Sequence, residues 1–87
     1  ADLSVSTVGR DLLSRLGSYA AEAVAAAGPG DADGWADLTL PFETIDQAAR
    51  LLLGLGPEVR VRTPDALRVR IMEMAQGILA QMQTPPP

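Results

Sequence analysis

An α+β domain is what this sequence predicts, and three observations predict it. Short stretches ("DLSVS", "WADLTL", "EVRVR") alternate apolar and polar residues, as half-buried strands do. Longer stretches repeat apolar residues every three or four positions, as amphipathic helices do. Clusters of Gly, Pro and Asp separate the two kinds of segment. At 87 residues the chain makes one domain, expected over 1–83. The tail "TPPP" (84–87) cannot continue a helix and is expected to be disordered.

Taken in order, "DLSVSTVG" sets Leu3, Val5 and Thr7 against Ser4 and Ser6, a half-buried strand. "RDLLSRLG" then places Leu12, Leu13 and Leu16 at helical spacing, with Gly17 as a stop. The following "SYAAEAVAAAG" is two-sided. Alanine is the best helix former, which would carry the helix on to Ala27, yet Gly17-Ser18 interrupts it, and apart from Val24 the segment carries no apolar stripe wider than alanine methyls.

"GPGDADG" is a turn cluster. "WADLTLPF" alternates again, with Leu38, Leu40 and Phe42 on one side and Trp35, Asp37 and Thr39 on the other; Pro41 marks either the strand's end or a place where its N–H is not needed. "TIDQAARLLLGLG" opens with a Thr44–Gln47 capping box, and its stripe is Ile45, Ala48, Ala49, Leu52 and Leu55. Gly54, Gly56 and Pro57 end that helix. "EVRVR" is a strand with Val59 and Val61 inward and Arg60 and Arg62 outward. The last helix takes Thr63 as N-cap and Pro64 at its first position, with a stripe of Leu67, Ile71, Met74, Ile78 and Met82. Leu3, Val5, Leu38, Leu40, Val59 and Val61 should therefore face the helices, packed on Ile45, Ala49 and Leu52.

Composition bounds the chemistry. Apolar residues make up 47% and charged ones 21%, a globular balance, and with Tyr19, Trp35 and Phe42 as the only aromatics the core must be aliphatic. Cysteine, histidine and lysine do not occur, so there is no thiolate or imidazole to act as nucleophile, base or soft metal ligand. No carboxylate pair sits in an apolar setting that would tune one of them as an acid, so neither an enzyme nor a cofactor site is expected. "DADG" fails as a calcium loop: with Gly34 at the sixth position, Pro29 would stand first and Leu40 twelfth, where carboxylates are needed. "GPG" and "GLG" lack the spacing of a phosphate loop.

The net charge of −4 argues against a general nucleic-acid or anionic-membrane surface. It is unevenly spread: residues 1–59 carry three Arg and nine acids, and residues 60–87 carry four Arg and two acids. Arg60, Arg62, Arg68 and Arg70, with Trp35 as a stacking partner, are the candidate contact for an effector or partner; runs of charge are more often solvated faces. Met72, off the inward stripe, is a candidate for an adaptable partner surface. The chain opens at Ala1 without a methionine, as a piece of a longer protein would.

Three short patterns in fixed order carry a family resemblance: Gly34-Trp35 before an alternating strand, Leu53-Gly54-Leu55-Gly56-Pro57-Glu58-Val59, and Pro64-Asp65-Ala66-Leu67-Arg68 opening the last helix. Together they resemble the WCX domain, the C-terminal extension of bacterial WYL-domain transcriptional regulators of the proteasome-accessory-factor kind. Thr63 departs from the pattern, since an acidic residue often precedes that proline. The resemblance implies a ferredoxin-like β-α-β-β-α-β sandwich with an additional C-terminal helix, and therefore a strand over residues 19–27. A helix there would leave an odd number of strands and a long unpaired edge.

It also implies a cytoplasmic regulatory and oligomerisation module. Its partners would be the WYL domain and winged helix-turn-helix of the same regulator, in a homodimer, with no operator binding by this piece, no membrane and a possible nucleic-acid effector reached through the full-length protein. The alternative is a free-standing ferredoxin-like domain that senses a ligand or binds a protein.

Overall fold

The computed structural model describes residues 1–28 and 30–85. Among these residues, three strands, β1 (Asp2–Val5), β2 (Ala36–Thr39) and β3 (Val59–Thr63), form one antiparallel sheet in the order β2-β1-β3. Four helices, α1 (Thr7–Ser14), α2 (Ser18–Ala26), α3 (Ile45–Leu53) and α4 (Asp65–Gln83), cover one face of it, and a 3₁₀ turn at Gly56–Glu58 leads into β3. The class is α+β as expected, but the order is β-α-α-β-α-β-α.

The strand expected over 19–27 is the correction. That segment is α2, whose five alanines keep full helix propensity and offer a sheet no cross-strand side chains to pack. The break read at Gly17-Ser18 is real, and it separates two helices rather than a helix and a strand. Placing β1 in the centre, paired on both sides, lets three strands close a sheet without the fourth.

The core lies between sheet and helices. Leu3, Val5, Leu38 and Leu40 from the sheet side meet Leu13 of α1, Ala20 of α2, Ala48, Ala49 and Leu52 of α3, Leu55, and Leu67 of α4. Val59, Val61, Ile45 and Phe42 are half-buried against this cluster. The strand alternation thus set the inward faces of the three strands correctly, but not beyond Val5: Thr7, read with Leu3 and Val5, opens α1 and is exposed, while Ser6 is buried as the helix cap. It is the burial of these aliphatic side chains that drives the fold, each contributing about 1.5–3 kcal/mol when fully removed from water.

Local chemistry sets several boundaries. Ser6 caps α1, accepting from the Gly9 N–H at 3.0 Å, while its N–H donates to the Glu58 carbonyl at 3.0 Å and its hydroxyl to the Glu58 carboxylate. The end of β1 is thereby tied to the start of β3. Thr44 caps α3 through the Gln47 N–H at 3.0 Å, and the Gln47 amide reaches back to the Glu43 N–H at 3.2 Å, one residue earlier than in the standard box.

Thr63 is not the N-cap of α4; it is the last residue of β3, and Pro64 occupies the cap position. The α4 stripe is only half used. Leu67 is buried and Ile71 and Met74 are half-buried, but Ile78 and Met82 are exposed, because α3 ends at Leu53 and, among the described residues, the far part of α4 has no helix beside it. Met72 is also exposed. Of the expected tail, Thr84 donates to the Ala80 and Gln81 carbonyls at the helix end, and Pro86 and Pro87 lie outside the described residues. Among the described residues no helix is long and apolar enough to cross a membrane.

Candidate functional site: the open face of the sheet

The face of the sheet turned away from the helices is built around a small residue. Ser4 sits in the middle of the central strand, with Asp37 opposite it on β2 and Arg60 opposite it on β3. Its short side chain lets long side chains from the two outer strands meet above β1. The Arg60 guanidinium stacks over the Trp35 ring, 3.9 Å from its centroid, and Arg62 Nη1 donates to Asp37 Oδ2 at 2.7 Å.

Trp35 is held by the turn before it. Asp31 Oδ1 accepts from the Asp33 and Trp35 N–H groups, both at 2.9 Å, and the Asp31 N–H donates to the Trp35 carbonyl at 2.7 Å. Gly34 adopts φ +84°, a conformation side chains resist, and a Cβ there would lie 2.9 Å from Thr7 Oγ1. Arg10 Nη2 donates to the Gly34 carbonyl at 2.7 Å, clamping the turn to the first helix. The "DADG" segment is therefore the device that aims the tryptophan; Pro29, at the start of the turn cluster, lies outside the described residues.

A bulge completes the face. Leu3 pairs with Val61 but Asp2 pairs with Thr63, so Arg62 is an extra residue on β3. Strict alternation would turn Thr63 toward the helices; the bulge turns it outward, where its hydroxyl donates to Asp2 Oδ2 at 3.0 Å. Thr39, on the other outer strand, donates to Asp2 Oδ1 at 3.0 Å. One carboxylate on the central strand thus ties both neighbours. These two hydrogen bonds, that from Thr39 first, hold the Asp2 carboxyl below its ordinary value of 3.8. Asp2 and Thr63 were missed in the sequence because the bulge breaks the two-residue period.

Of the five candidate residues, the structure gathers three, Trp35, Arg60 and Arg62, on one face. Arg68 pairs with Asp65 of its own helix at 3.1 Å and shares with Arg60 a shallow groove between β3 and α4. Arg70 is turned elsewhere: its Nε donates to Asp46 of α3 at 2.9 Å, joining the two helices. Three of the four arginines between 60 and 70 are therefore matched by carboxylates, while Arg60 lies on the indole. Flattened on that ring, Arg60 keeps a plane of N–H donors suited to a phosphate or carboxylate.

Comparisons with curated proteins and with solved structures gave no significant match. A family model described as the WCX domain matches residues 4–79, a span that runs from the centre of β1 through most of α4 and includes every residue of the open face except Asp2. The chain belongs to the WCX domain family.

Proposed function

We propose that this chain is the C-terminal regulatory and oligomerisation module of a WYL-type bacterial transcriptional regulator. It positions the WYL sensor domain of the same cytoplasmic protein beside a winged helix-turn-helix, takes part in a homodimer, and performs no catalysis. Membership of the WCX family over residues 4–79 is the observation that supports this reading. With a net charge of −4 the module does not hold operator DNA by itself; an anionic effector, nucleic acid among the possibilities, is reached only together with the WYL domain.

Within that role the contact surface is the open face, with Trp35, Arg60 and Arg62 at its centre and Arg68 at its rim. Arg62 must leave Asp37 to meet an anion, so Arg60 is the stronger contributor. The experiment replaces Arg60 and Arg62 by Ala in the full-length regulator and measures affinity for a single-stranded oligonucleotide across a salt series. Each lost phosphate contact flattens the logarithmic salt slope by about 0.7. An unchanged slope with an unchanged dimer constant makes these arginines ordinary surface residues.

A second reading, a ligand-sensing domain, draws on one feature. A mostly apolar cleft of about 360 Å³, within the range of small-molecule sites, is lined by Tyr19, Leu40, Phe42, Gln47 and Leu51.

A further inference from the structure

We infer that Arg10, with Thr7 beside it, is the positioning residue of the open face: from the first helix it fixes Trp35 where Arg60 can stack on it. It does so for the effector contact proposed above, on which this inference rests, and neither residue touches the effector itself.

The two halves of the stack are held differently. Arg60 lies inside β3, opposite Ser4 of the central strand, so the sheet ladder places it. Trp35 stands one residue before β2, whose last pair with β1 is Val5 with Ala36, so the ladder stops short of it. What places Trp35 is the turn over 31–34. The Asp31 carboxylate closes that turn on itself, as does the Gly34 N–H donating to the Asp31 carbonyl at 3.0 Å. A self-closed turn can pivot as a unit unless something outside grips it. Among the described residues, its hydrogen bonds beyond 31–35 fall on one atom, the Gly34 carbonyl oxygen. That oxygen accepts from Arg10 Nη2 at 2.7 Å and from Thr7 Oγ1 at 3.2 Å.

Arg10 is itself fixed. Its Nη2 also donates to Thr7 Oγ1 at 3.2 Å, and its Nε donates to the Ser6 carbonyl at 3.4 Å. Ser6 is the residue tied to Glu58, two positions before Arg60. The contacts therefore close a ring, from Glu58 through Ser6, Arg10 and Gly34 to Trp35, and across the stack to Arg60. Gly30 leaves room for the guanidinium, since a Cβ there would lie 3.0 Å from Arg10 Nη2.

Arg15, Arg62, Arg68 and Arg70 each meet a carboxylate, whereas among the described residues Arg10 meets three neutral oxygens. A planar fork with donors in fixed directions holds several acceptors at once; a lysine ammonium on its flexible stem holds them more loosely. With Nε and Nη2 engaged in this way, Arg10 acts through Trp35.

Two measurements test this. On the 87-residue chain, acrylamide quenching reads the exposure of Trp35, the only tryptophan, in variants that circular dichroism shows to be folded. Arg10→Ala and Thr7→Val are expected to raise the quenching constant, with Arg10→Lys between Arg10→Ala and the parent. In the full-length regulator, Arg10→Ala is expected to weaken single-stranded oligonucleotide binding about threefold to tenfold, as a contact-ready state populated that much less would. The logarithmic salt slope stays that of the parent, whereas Arg60→Ala flattens it by about 0.7. Thr7→Val, close in shape and uncharged, weakens binding with no change of charge at all, and it carries the test where Arg10→Ala does not fold. Quenching equal to the parent's overturns the positioning, as does a slope flattened by Arg10→Ala, which would make Arg10 a phosphate contact. A freed Trp35 with unchanged affinity, where Arg60→Ala lowers it, overturns it too. A freed Trp35 beside an Arg60→Ala of unchanged affinity keeps Arg10 as the residue that places Trp35 and removes the open face as the effector surface.

Discussion

The two faces of the sheet use the same three strands and are held by different physics. On the helix face, Leu3, Val5 and Leu38 are buried and packed against four helices. On the other, Asp2, Ser4, Trp35, Asp37, Thr39, Arg60, Arg62 and Thr63 form a polar surface of exposed ion pairs and hydroxyl contacts. Apolar burial is non-directional and large, so the first face decides whether the chain folds. Exposed polar contacts are individually small, so the second face is free to be shaped for recognition.

The sharpest way to break this comparison is at Leu38, which lies between Asp37 and Thr39 in the chain but on the opposite face. Leu38→Ala is expected to cost about 2–5 kcal/mol in urea unfolding, a large share of a small domain's stability. A loss of a few tenths would mean that the helix face does not carry the fold.

An intermediate effect is expected at Arg60. Arg60→Ala removes the stack on Trp35 and should cost about 0.5–1 kcal/mol. Trp35 is the only tryptophan, so its fluorescence reports the change directly, shifting to longer wavelength as the ring becomes hydrated. If the emission does not move, Arg60 does not shield the indole in solution.

The smallest effect is pH-dependent. The Asp2 carboxyl is held below 3.8 by Thr39 and Thr63, so the folded chain takes up that proton less readily than the unfolded one. Its contribution is complete above about pH 3.8 and is lost as the pH falls through the lower, folded value. In Asp2→Asn, the urea midpoint should therefore fall less steeply below pH 4 than in the parent chain. Parallel acid limbs would show that Asp2 does not tie the strands.

Much of this was legible in the sequence because it depends on neighbours a few residues apart. The three strand segments, the Thr44 cap, the turn before Trp35 and the outward pairing of Arg60 with Arg62 follow from alternation and from Gly, Pro, Asp and Thr at particular offsets. The gathering of Trp35 with Arg60 and Arg62 was foreseeable once both strands were placed in one sheet. Arg70 was not separable from them by sequence, since only the packing of α4 on α3 brings it to Asp46.

By itself the sequence determined an aliphatic α+β domain, the identity of its inward residues, and the alanine-rich segment's preference for helix, which the expectation of a fourth strand overrode. Only the tertiary structure decided that β1 lies in the centre, that a bulge brings Thr63 to Asp2, that α4 outruns α3, and that β2 stands at one edge of the sheet. The reason is range. Propensity, capping and alternation act between residues close in the chain, whereas strand order, bulge position and free edges are set by which distant segments pack together, as Asp2 with Thr63 and Ser6 with Glu58.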